Sequence, residues 1–126
     1  MAVPVSNSDW QYRDFHAATG GAFRETVRLG KKNDTWTLDG CALFMWVRPA
    51  PGHPTLVLEM NTSPTSYILI KNPVVREIQF NVPDTIMEPI VAGSYFYDLL
   101  VVAPDGFTYQ RLRGRFNVHR SCTEIH

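Results

Sequence analysis

Hydrophobic residues recur along this chain mostly at every second position, in short segments that end at proline, glycine or asparagine. Residues 23–29 and 75–82 show this alternation, and residues 41–47 form a continuous apolar run. A period of two is typical of a β-strand with one buried face, and a continuous run of this length is typical of a strand buried on both faces. Further strands are predicted at 55–60, 67–70, 94–103 and 107–118, whereas 85–91 forms either one helical turn or an extended crossover. No long segment keeps the 3.6-residue period of an amphipathic helix.

The number and spacing of these strands predict the fold class. Roughly seven to eight short strands, with turn signals about every 8–12 residues, indicate an all-β fold, either an antiparallel β-sandwich or a barrel. Tyr95 favours the immunoglobulin-like sandwich, because it follows Gly93 at the start of the penultimate strand, where such folds place a tyrosine corner. The alternative is that Tyr95 is an ordinary amphipathic strand residue. Tyr97 occupies the position that holds a cysteine in antibody domains.

The shared phase of the strands predicts which side chains form the core. These are Phe44, Trp46, Ile78, Phe80, Tyr97, Leu99, Val101, Leu112 and Phe116, with Trp46 in the place of the core aromatic of such sandwiches. The last two strands are expected to form a hairpin about Pro104-Asp105-Gly106. Proline presets the first dihedral of such a turn, and Gly106 accepts a positive φ, so we expect this turn to set the register of the pair.

Length and composition predict one domain, residues 21–126, preceded by an N-terminal arm, residues 1–20. A chain of 126 residues matches the size of a single domain, and 44% apolar residues suffice for a packed core. The arm is polar and mixed but carries three aromatic residues, Trp10, Tyr12 and Phe15. We expect these to pack on the sheet of their own chain or on a partner, rather than to stack on a sugar.

Charge and targeting signals narrow the function classes. The 12 basic and 12 acidic residues give a formal net charge of zero, hence no general attraction to nucleic acid or to an anionic membrane. The first residues show neither the basic nor the apolar region of a signal peptide, and the longest strongly apolar stretch, 99–104, is far too short to span a bilayer. We therefore expect a soluble protein of a reducing compartment, with Cys41 and Cys122 as free thiols rather than a disulfide.

Candidate chemistry is sparse, and the sequence predicts no catalytic residue, no metal site, no cofactor and no enzymatic activity. The histidines, His16, His53, His119 and His126, lack metal-ligand spacing, and His119 and Cys122 form only a lone i, i+3 pair. No nucleophile elbow, P-loop or dinucleotide-binding motif occurs. Asp98 lies inside an apolar strand, where a carboxylate is expected to face solvent or to pair with an arginine rather than to act in catalysis.

Three arginines at alternate positions of the last strand, Arg111, Arg113 and Arg115, are expected to share one face. This face is either a contact for a neighbouring subunit or an ordinary solvated surface. Nucleic-acid binding is the weakest interpretation, because acidic residues balance the charge and no aromatic stacking motif accompanies the arginines.

Several short motifs follow one another along the predicted strands. They are Leu38-Asp39-Gly40, Val47-Arg48-Pro49, the segment from Gly93 to Leu99, Asp105-Gly106 and the segment from Leu112 to Val118. Over residues 22–123 their order resembles that of small structural domains of tailed phages, immunoglobulin-like sandwiches similar to the N-terminal domain of phage baseplate upper proteins. The resemblance implies that the fold-specifying residues are Trp46, Gly93, Tyr95, Tyr97, Asp105, Gly106 and Gly114.

The resemblance also implies a function without chemistry. It implies a virion protein of the neck, tail, baseplate or fibre anchor, assembled in the host cytoplasm. Such a protein would form a homo-oligomeric ring or collar and bind other phage structural proteins. The interface candidates are Trp10, Tyr12, Phe15, Arg111, Arg113 and Arg115. The alternative from another class is a carbohydrate-binding sandwich with Trp10, Trp36 or Tyr67 as its stacking platform.

Overall fold

The computed structural model describes residues 11–31 and 33–120, and this part of the chain consists mainly of β-strands. The strands are β1 (Gln11–Tyr12), β2 (Phe15–Ala18), β3 (Phe23–Arg28), β4 (Ala42–Arg48), β5 (Leu58–Asn61), β6 (Ile68–Asn72), β7 (Glu77–Val82), β8 (Gly93–Val102) and β9 (Thr108–His119). A single helical turn, α1 (Asp84–Met87), links β7 to β8. It decides between the two predictions for residues 85–91 in favour of a helical turn.

The strands form two sheets with a common core between them. The larger, six-stranded sheet has the order β1-β9-β8-β4-β5, with β2 also pairing with β9, and the smaller sheet has the order β3-β7-β6. In the immunoglobulin fold the B, E and D strands form one sheet and the C, F and G strands the other. The smaller sheet here corresponds to the first of these, with β3, β7 and β6 in the places of B, E and D. The larger sheet corresponds to the second, with β4, β8 and β9 in the places of C, F and G. The predicted immunoglobulin-like antiparallel β-sandwich is confirmed.

Residues 11–18 belong to the larger sheet and do not form a separate arm. β1 and β2 run parallel to β9, with Phe15 opposite Phe116. Phe15 is only 1% exposed, and its ring contacts Phe23 and Phe80 edge to face. The predicted domain boundary at residue 20 is therefore wrong for these strands, and Phe15 is a core residue rather than an interface candidate. Of the three aromatic residues of the predicted arm, Phe15 packs in the core of its own chain, Tyr12 is 62% exposed, and Trp10 lies outside the described residues.

Gly114 leaves the space in which the backbone between β1 and β2 lies. A Cβ at this position would overlap the carbonyl oxygen of Arg13 and would lie 2.8 Å from its carbonyl carbon. The same carbonyl accepts a hydrogen bond of 2.5 Å from the hydroxyl of Tyr97. Next to it, the Asp14 carboxylate accepts a hydrogen bond of 3.0 Å from the backbone N–H of Arg115. Gly114 and Tyr97 therefore specify the fold by holding the N-terminal segment on β9.

The core fills the space between the sheets, and β4 contributes Leu43, Met45 and Val47, each at most 1% exposed. Phe44 and Trp46, which were predicted in the core, lie on the opposite face of β4 and are partly exposed. Their assignment is wrong because every position of β4 from Ala42 to Val47 is apolar, so the pattern alone does not indicate which set faces inward. The other predicted core residues are buried: Ile78, Phe80, Tyr97, Leu99, Val101, Leu112 and Phe116.

Tyr95 forms the predicted tyrosine corner. Its hydroxyl donates a hydrogen bond of 2.5 Å to the carbonyl of Val91, back across the turn that precedes the body of β8. Two residues later, Tyr97 takes the place of the antibody cysteine and is 2% exposed. Its ring centroid lies 5.1 Å from that of Phe15.

The hairpin between β8 and β9 closes as predicted. Gly106 has φ of 92°, a conformation that glycine adopts without the strain a Cβ introduces. The Asp105 carboxylate accepts a hydrogen bond of 3.1 Å from the backbone N–H of Phe107, and the Phe107 carbonyl accepts one of 2.8 Å from Ala103. The turn thus uses the side chain of Asp105 and the backbone freedom of Gly106.

A β-bulge in β9 separates Arg111 from the other two arginines of this strand. The register shifts between Leu99 and Leu100, and Arg111 is the extra residue on β9. A bulge interrupts the alternation of side chains, and Arg111 turns into the edge of the core, where it is 4% exposed. Its guanidinium carbon lies 4.3 Å from the ring centroid of Trp36. The prediction that all three arginines share one face is therefore wrong for Arg111.

Arg76 is a fully buried cation that ties the loop between β3 and β4 to the start of β7. Its guanidinium donates hydrogen bonds to four backbone carbonyls of that loop, those of Leu29 (2.8 Å), Lys31 (2.9 Å), Asp34 (3.0 Å) and Trp36 (2.9 Å). Its guanidinium carbon also lies 5.0 Å from the centroid of the Trp36 ring. In the alternating segment 75–82, Arg76 occupies the inward phase, and the structure shows that its side chain does point inward.

Candidate functional site

The outward side chains of the larger sheet form an extended surface that combines large apolar residues with charged and polar ones. Strand pairing aligns them in three rows, because residues directly opposite on neighbouring strands point to the same side. The rows are Phe44–Leu100–Gln110, Trp46–Asp98–Arg113 and Arg48–Phe96–Arg115, and Tyr12 of β1 continues the second row beyond Arg113. We call these ten residues the outer face.

An aromatic pair on β4 lies near the centre of the outer face. The rings of Phe44 and Trp46 stack with their centroids 5.9 Å apart and their planes at 14°. The indole N–H of Trp46 donates a hydrogen bond of 3.0 Å to the Glu59 carboxylate on β5, which fixes the ring orientation. Leu100 and Phe96 of β8 lie beside this pair on the neighbouring strand. The centre of the outer face is therefore ordered before any partner binds.

Charged groups of both signs surround and interrupt the apolar centre. The Asp98 carboxylate accepts a hydrogen bond of 2.6 Å from the side-chain amide of Gln110 and lies 3.9 Å from Arg113 Nε. This pairing follows the sequence expectation for Asp98. Both side chains of the ion pair are more than 40% exposed, so it contributes at most about 1 kcal/mol to stability. The guanidinium of Arg115 lies 5.6 Å from the ring centroid of Phe96.

A small cavity of about 150 Å³ opens on the outer face. Its lining consists of Tyr12, Arg48, Ala50, Pro51, Phe96, Tyr97, Asp98, Arg113 and Gly114. Pockets for drug-sized ligands are larger, roughly 300–1,000 Å³. The cavity has room for one side chain of a partner protein rather than for such a ligand.

The corresponding surface of the smaller sheet has a different character. Its outward residues on β3 and β7 are polar or charged, namely Arg24 with Asn81, Thr26 with Gln79 and Arg28 with Glu77, and β6 adds one apolar side chain, Leu69, opposite Gln79. Arg24 donates a hydrogen bond of 3.1 Å to the side chain of Asn81. This is an ordinary solvated face, whereas a contiguous apolar patch on a soluble domain is typical of an interaction site. Only one of the two outward surfaces of the sandwich has this composition.

Three of the predicted interface candidates meet on the outer face. Tyr12, which is 62% exposed, lies opposite Arg113, and Arg115 lies one row away. Phe15 and Arg111 are buried, and Trp10 lies outside the described residues.

The sequence predictions missed the aromatic and aliphatic centre of the outer face, Phe44, Trp46, Phe96 and Leu100. The signal for it was present in residues 41–47 and 95–103, which are apolar at nearly every position. In a two-layer sandwich each strand has only one face in the core. A strand that is apolar on both faces therefore indicates a second covered surface.

Two of the three residues considered as a sugar-stacking platform, Trp36 and Tyr67, have partners within their own chain, and the third, Trp10, lies outside the described residues. The Trp36 ring is covered by two guanidinium groups, those of Arg76 and Arg111. The Trp36 indole N–H also donates a hydrogen bond of 3.1 Å to Asp34. Tyr67 packs against the hydrophobic core. Trp36 is therefore not free to stack on a sugar ring.

The ionisable groups with shifted pKa values have structural explanations. Burial raises the pKa of the Cys41 thiol, and the nearby Asp39 carboxylate raises it further, so this cysteine is protonated at neutral pH. Burial likewise raises the pKa of the Tyr97 hydroxyl well above its usual value. The hydrogen bond from the backbone N–H of Lys31 lowers the pKa of Asp34.

The described residues form neither a metal-binding cluster nor a membrane-spanning helix. Within residues 11–31 and 33–120, no group of three or more histidine, cysteine, aspartate or glutamate side chains is arranged to hold a metal ion. In the same part of the chain, no helix is long and apolar enough to cross a bilayer. Cys122 lies outside the described residues, so the predicted state of the two cysteines remains a prediction.

Comparison with known proteins gives no family assignment. No family model matches the chain, and no curated protein matches it. Among solved structures the chain is similar to CopC from Methylosinus trichosporium OB3b, with 18% identity over 85% of this chain and 84% of that one and a TM-score of 0.47. It is also similar to the NK cell receptor Nkp44, with 12% identity over 88% of this chain and 99% of that one and a TM-score of 0.45. A third similar structure is murine CRIg, with 12% identity over 86% of this chain and 92% of that one and a TM-score of 0.40. Likenesses at this level carry no inference about function, and none of the three is a phage protein.

Proposed function

We propose that this chain is a non-enzymatic structural subunit that binds neighbouring protein subunits through the outer face of its larger sheet. The observation that carries this proposal is that β4 and β8 present large apolar side chains on both sides, even though Arg48 and Asp98 also lie on the outward side. Their inward residues, such as Met45 and Leu99, fill the core. Their outward residues, such as Trp46 and Phe96, are partly exposed and have no second layer above them within residues 11–31 and 33–120, so we expect a partner to cover them.

The composition of the outer face suits a protein partner. Stable interfaces have an aromatic and aliphatic centre with a polar rim, and they are enriched in aromatic residues and arginine. Here Phe44, Trp46 and Phe96 supply the centre, and Arg48 and Arg115 lie at its margin. Because Asp98 and Glu59 add negative charge to the same surface, the outer face can complement another copy of itself.

We further propose, on the resemblance of its sequence motifs to phage baseplate domains, that the assembly is part of a tailed-phage virion. The chain would then form a ring or collar in the neck, tail, baseplate or fibre anchor, in contact with other phage structural proteins, after assembly in the host cytoplasm. The order of motifs from Leu38 to Val118 is the support for this part of the proposal.

A pair of matched variants tests the role of the outer face. Phe96→Glu places a charge at its centre, between Arg48 and Arg115, so the folded monomer accommodates the new carboxylate. Thr26→Glu is the control, because it places the same charge between Arg24 and Arg28 on the outward surface of the smaller sheet. In size-exclusion chromatography with light scattering, the wild type and Thr26→Glu are expected to form the same oligomer and Phe96→Glu a folded monomer.

Two results would contradict the proposal. A wild-type chain that stays monomeric over the whole accessible concentration range would exclude self-assembly, and dissociation by Thr26→Glu but not by Phe96→Glu would move the interface to the other sheet. The virion assignment has its own test, mass spectrometry of purified particles of the encoding phage. Peptides of this chain are expected in stoichiometric amounts, and their absence from particles would refute the assignment.

A further inference from the structure

A pair of histidines lies at the edge of the larger sheet, on the two parallel strands β2 and β9. Nδ1 of His16 is 3.0 Å from Nε2 of His119, and the two ring planes differ by only 15°. Both side chains are exposed. The sequence gives no hint of this pair, because 103 residues separate its members and the pairing of β2 with β9 brings them together.

The backbone on both sides of the pair is held in place. His16 pairs with Asn117 in the register of β2 and β9, and His119 lies two residues further along β9. The carbonyl of His119 accepts a hydrogen bond of 2.9 Å from the backbone N–H of Thr19, just beyond the end of β2. The side chain of Asn117 already accepts a hydrogen bond of 2.9 Å from the Ser94 hydroxyl. The two imidazoles therefore stand on a fixed frame, and only their ring torsions need to adjust.

We infer that His16 and His119 form a two-imidazole site for a divalent transition-metal ion, with Cu²⁺ as the preferred ion. Imidazole nitrogen is the commonest protein ligand for such metals. In the free chain one of these two nitrogens donates a hydrogen bond to the other, so metal binding requires that ring to take its other tautomer, with the proton on its second nitrogen. When the two nitrogens keep their 3.0 Å separation, metal–nitrogen bonds of about 2.0–2.1 Å give an angle of about 91–97° at the metal. This is the angle between adjacent ligands in the tetragonal geometry that Cu²⁺ and Ni²⁺ adopt.

The affinity order of the divalent first-row metals favours Cu²⁺ at this pair of nitrogen ligands. Within residues 11–31 and 33–120 no third histidine, cysteine or carboxylate joins the site, and water can occupy the remaining coordination positions. The exposed position of both rings gives the ion direct access from solvent.

Titration with Cu²⁺ alone, followed by calorimetry on the full chain, tests this inference. We expect one copper ion to bind per chain in the tightest phase, and either His16→Asn or His119→Asn to weaken that phase by at least about tenfold. Even the loss of a hydrogen-bond partner to a metal ligand costs roughly 10–100-fold in affinity. Both residues are exposed, so the variants keep the wild-type circular dichroism spectrum. His53→Asn, which removes an exposed histidine in the loop before β5, is the matched control and leaves the tight phase unchanged.

Electron paramagnetic resonance of the copper-loaded chain provides a second readout. The wild type is expected to show a tetragonal Cu²⁺ signal with coupling to two imidazole nitrogens. His16→Asn and His119→Asn are each expected to show coupling to only one imidazole nitrogen. Calorimetry in which both variants bind copper as tightly as the wild type would overturn the inference. So would a spectrum with no imidazole coupling, or Zn²⁺ binding more tightly than Cu²⁺.

Discussion

Replacing Gly114 with alanine is expected to displace the segment between β1 and β2 from β9. The glycine is not needed for a positive φ, since its backbone lies outside that region. It is needed for space, because an added methyl group would overlap the carbonyl of Arg13. The obstructing atoms belong to the backbone, so no rotation of a side chain relieves the overlap, and the segment between β1 and β2 must move.

The cost follows from the contacts that this movement breaks. Three hydrogen bonds hold the segment: Arg13 N–H to the Arg113 carbonyl (2.9 Å), the Tyr97 hydroxyl to the Arg13 carbonyl (2.5 Å), and Arg115 N–H to the Asp14 carboxylate (3.0 Å). At about 1 kcal/mol each, their loss costs about 3 kcal/mol. Alanine regains about 0.5–1 kcal/mol in a strand because it restricts the unfolded chain. We expect the free energy of unfolding to fall by about 2–2.5 kcal/mol.

Urea unfolding of Gly114→Ala and of a matched control measures this difference. Gly93→Ala is the control, because Gly93 lies in the same strand pair and its added methyl would be 3.8 Å from the Tyr95 ring, an ordinary contact. The control is expected to be as stable as the wild type or slightly more stable. If Gly114→Ala unfolds at the same urea concentration as the control, with an equal m-value, the close packing of the N-terminal segment on β9 is wrong.

Four further substitutions test the interior of the sandwich and the turn between β8 and β9 by urea unfolding. Met45→Ala should lower the free energy of unfolding by about 2–5 kcal/mol and Trp46→Ala by about 1 kcal/mol, because only Met45 is in the core. If Trp46→Ala were the more destabilising of the two, the assignment of Trp46 to the outer face would be wrong. Arg76→Met should cost at least about 3 kcal/mol because it leaves buried carbonyls without their donor, and a neutral result would show that water replaces the guanidinium. Gly106→Val should cost about 1–3 kcal/mol through backbone strain alone, since its Cβ would meet no atom within 4 Å, and an unchanged midpoint would refute the positive φ.

The positions of the strands and turns were predictable because their signals are local. The Asp105-Gly106 turn and the Tyr95 corner each depend on a few neighbouring residues, and both are confirmed. The pairing of β2 with β9 is different, because it joins residues 101 positions apart and involves a segment of four residues without strong alternation. Propensity and period carry no information about such a contact.

The arginines of β9 show a second limit. Arg111, Arg113 and Arg115 stand at alternate positions, which predicts one shared face, but the bulge inserts Arg111 into the edge of the core. A one-residue bulge leaves no trace in composition, and here the planar guanidinium gains the Trp36 ring as a partner. The pattern alone therefore misplaces it.

The outer face could not be predicted from the sequence, because its central residues have the same composition as core residues. Phe44 and Trp46 have the composition of buried residues, and the inward set Leu43, Met45 and Val47 is equally apolar. Only the layer structure of the sandwich distinguishes the two sets, because it leaves one of them without cover. The candidate site thus became visible from the fold and not from a motif.

The central claim, that the outer face is the contact between subunits, is tested most directly by hydroxyl-radical footprinting of the assembled and dissociated protein. Phe44, Trp46 and Phe96 are expected to react several-fold more slowly in the assembly than in the monomer, because a partner covers them. Val74, which is exposed in the loop before β7, should react at the same rate in both. Equal rates for the three aromatic residues, with protection found on the smaller sheet instead, would contradict the account.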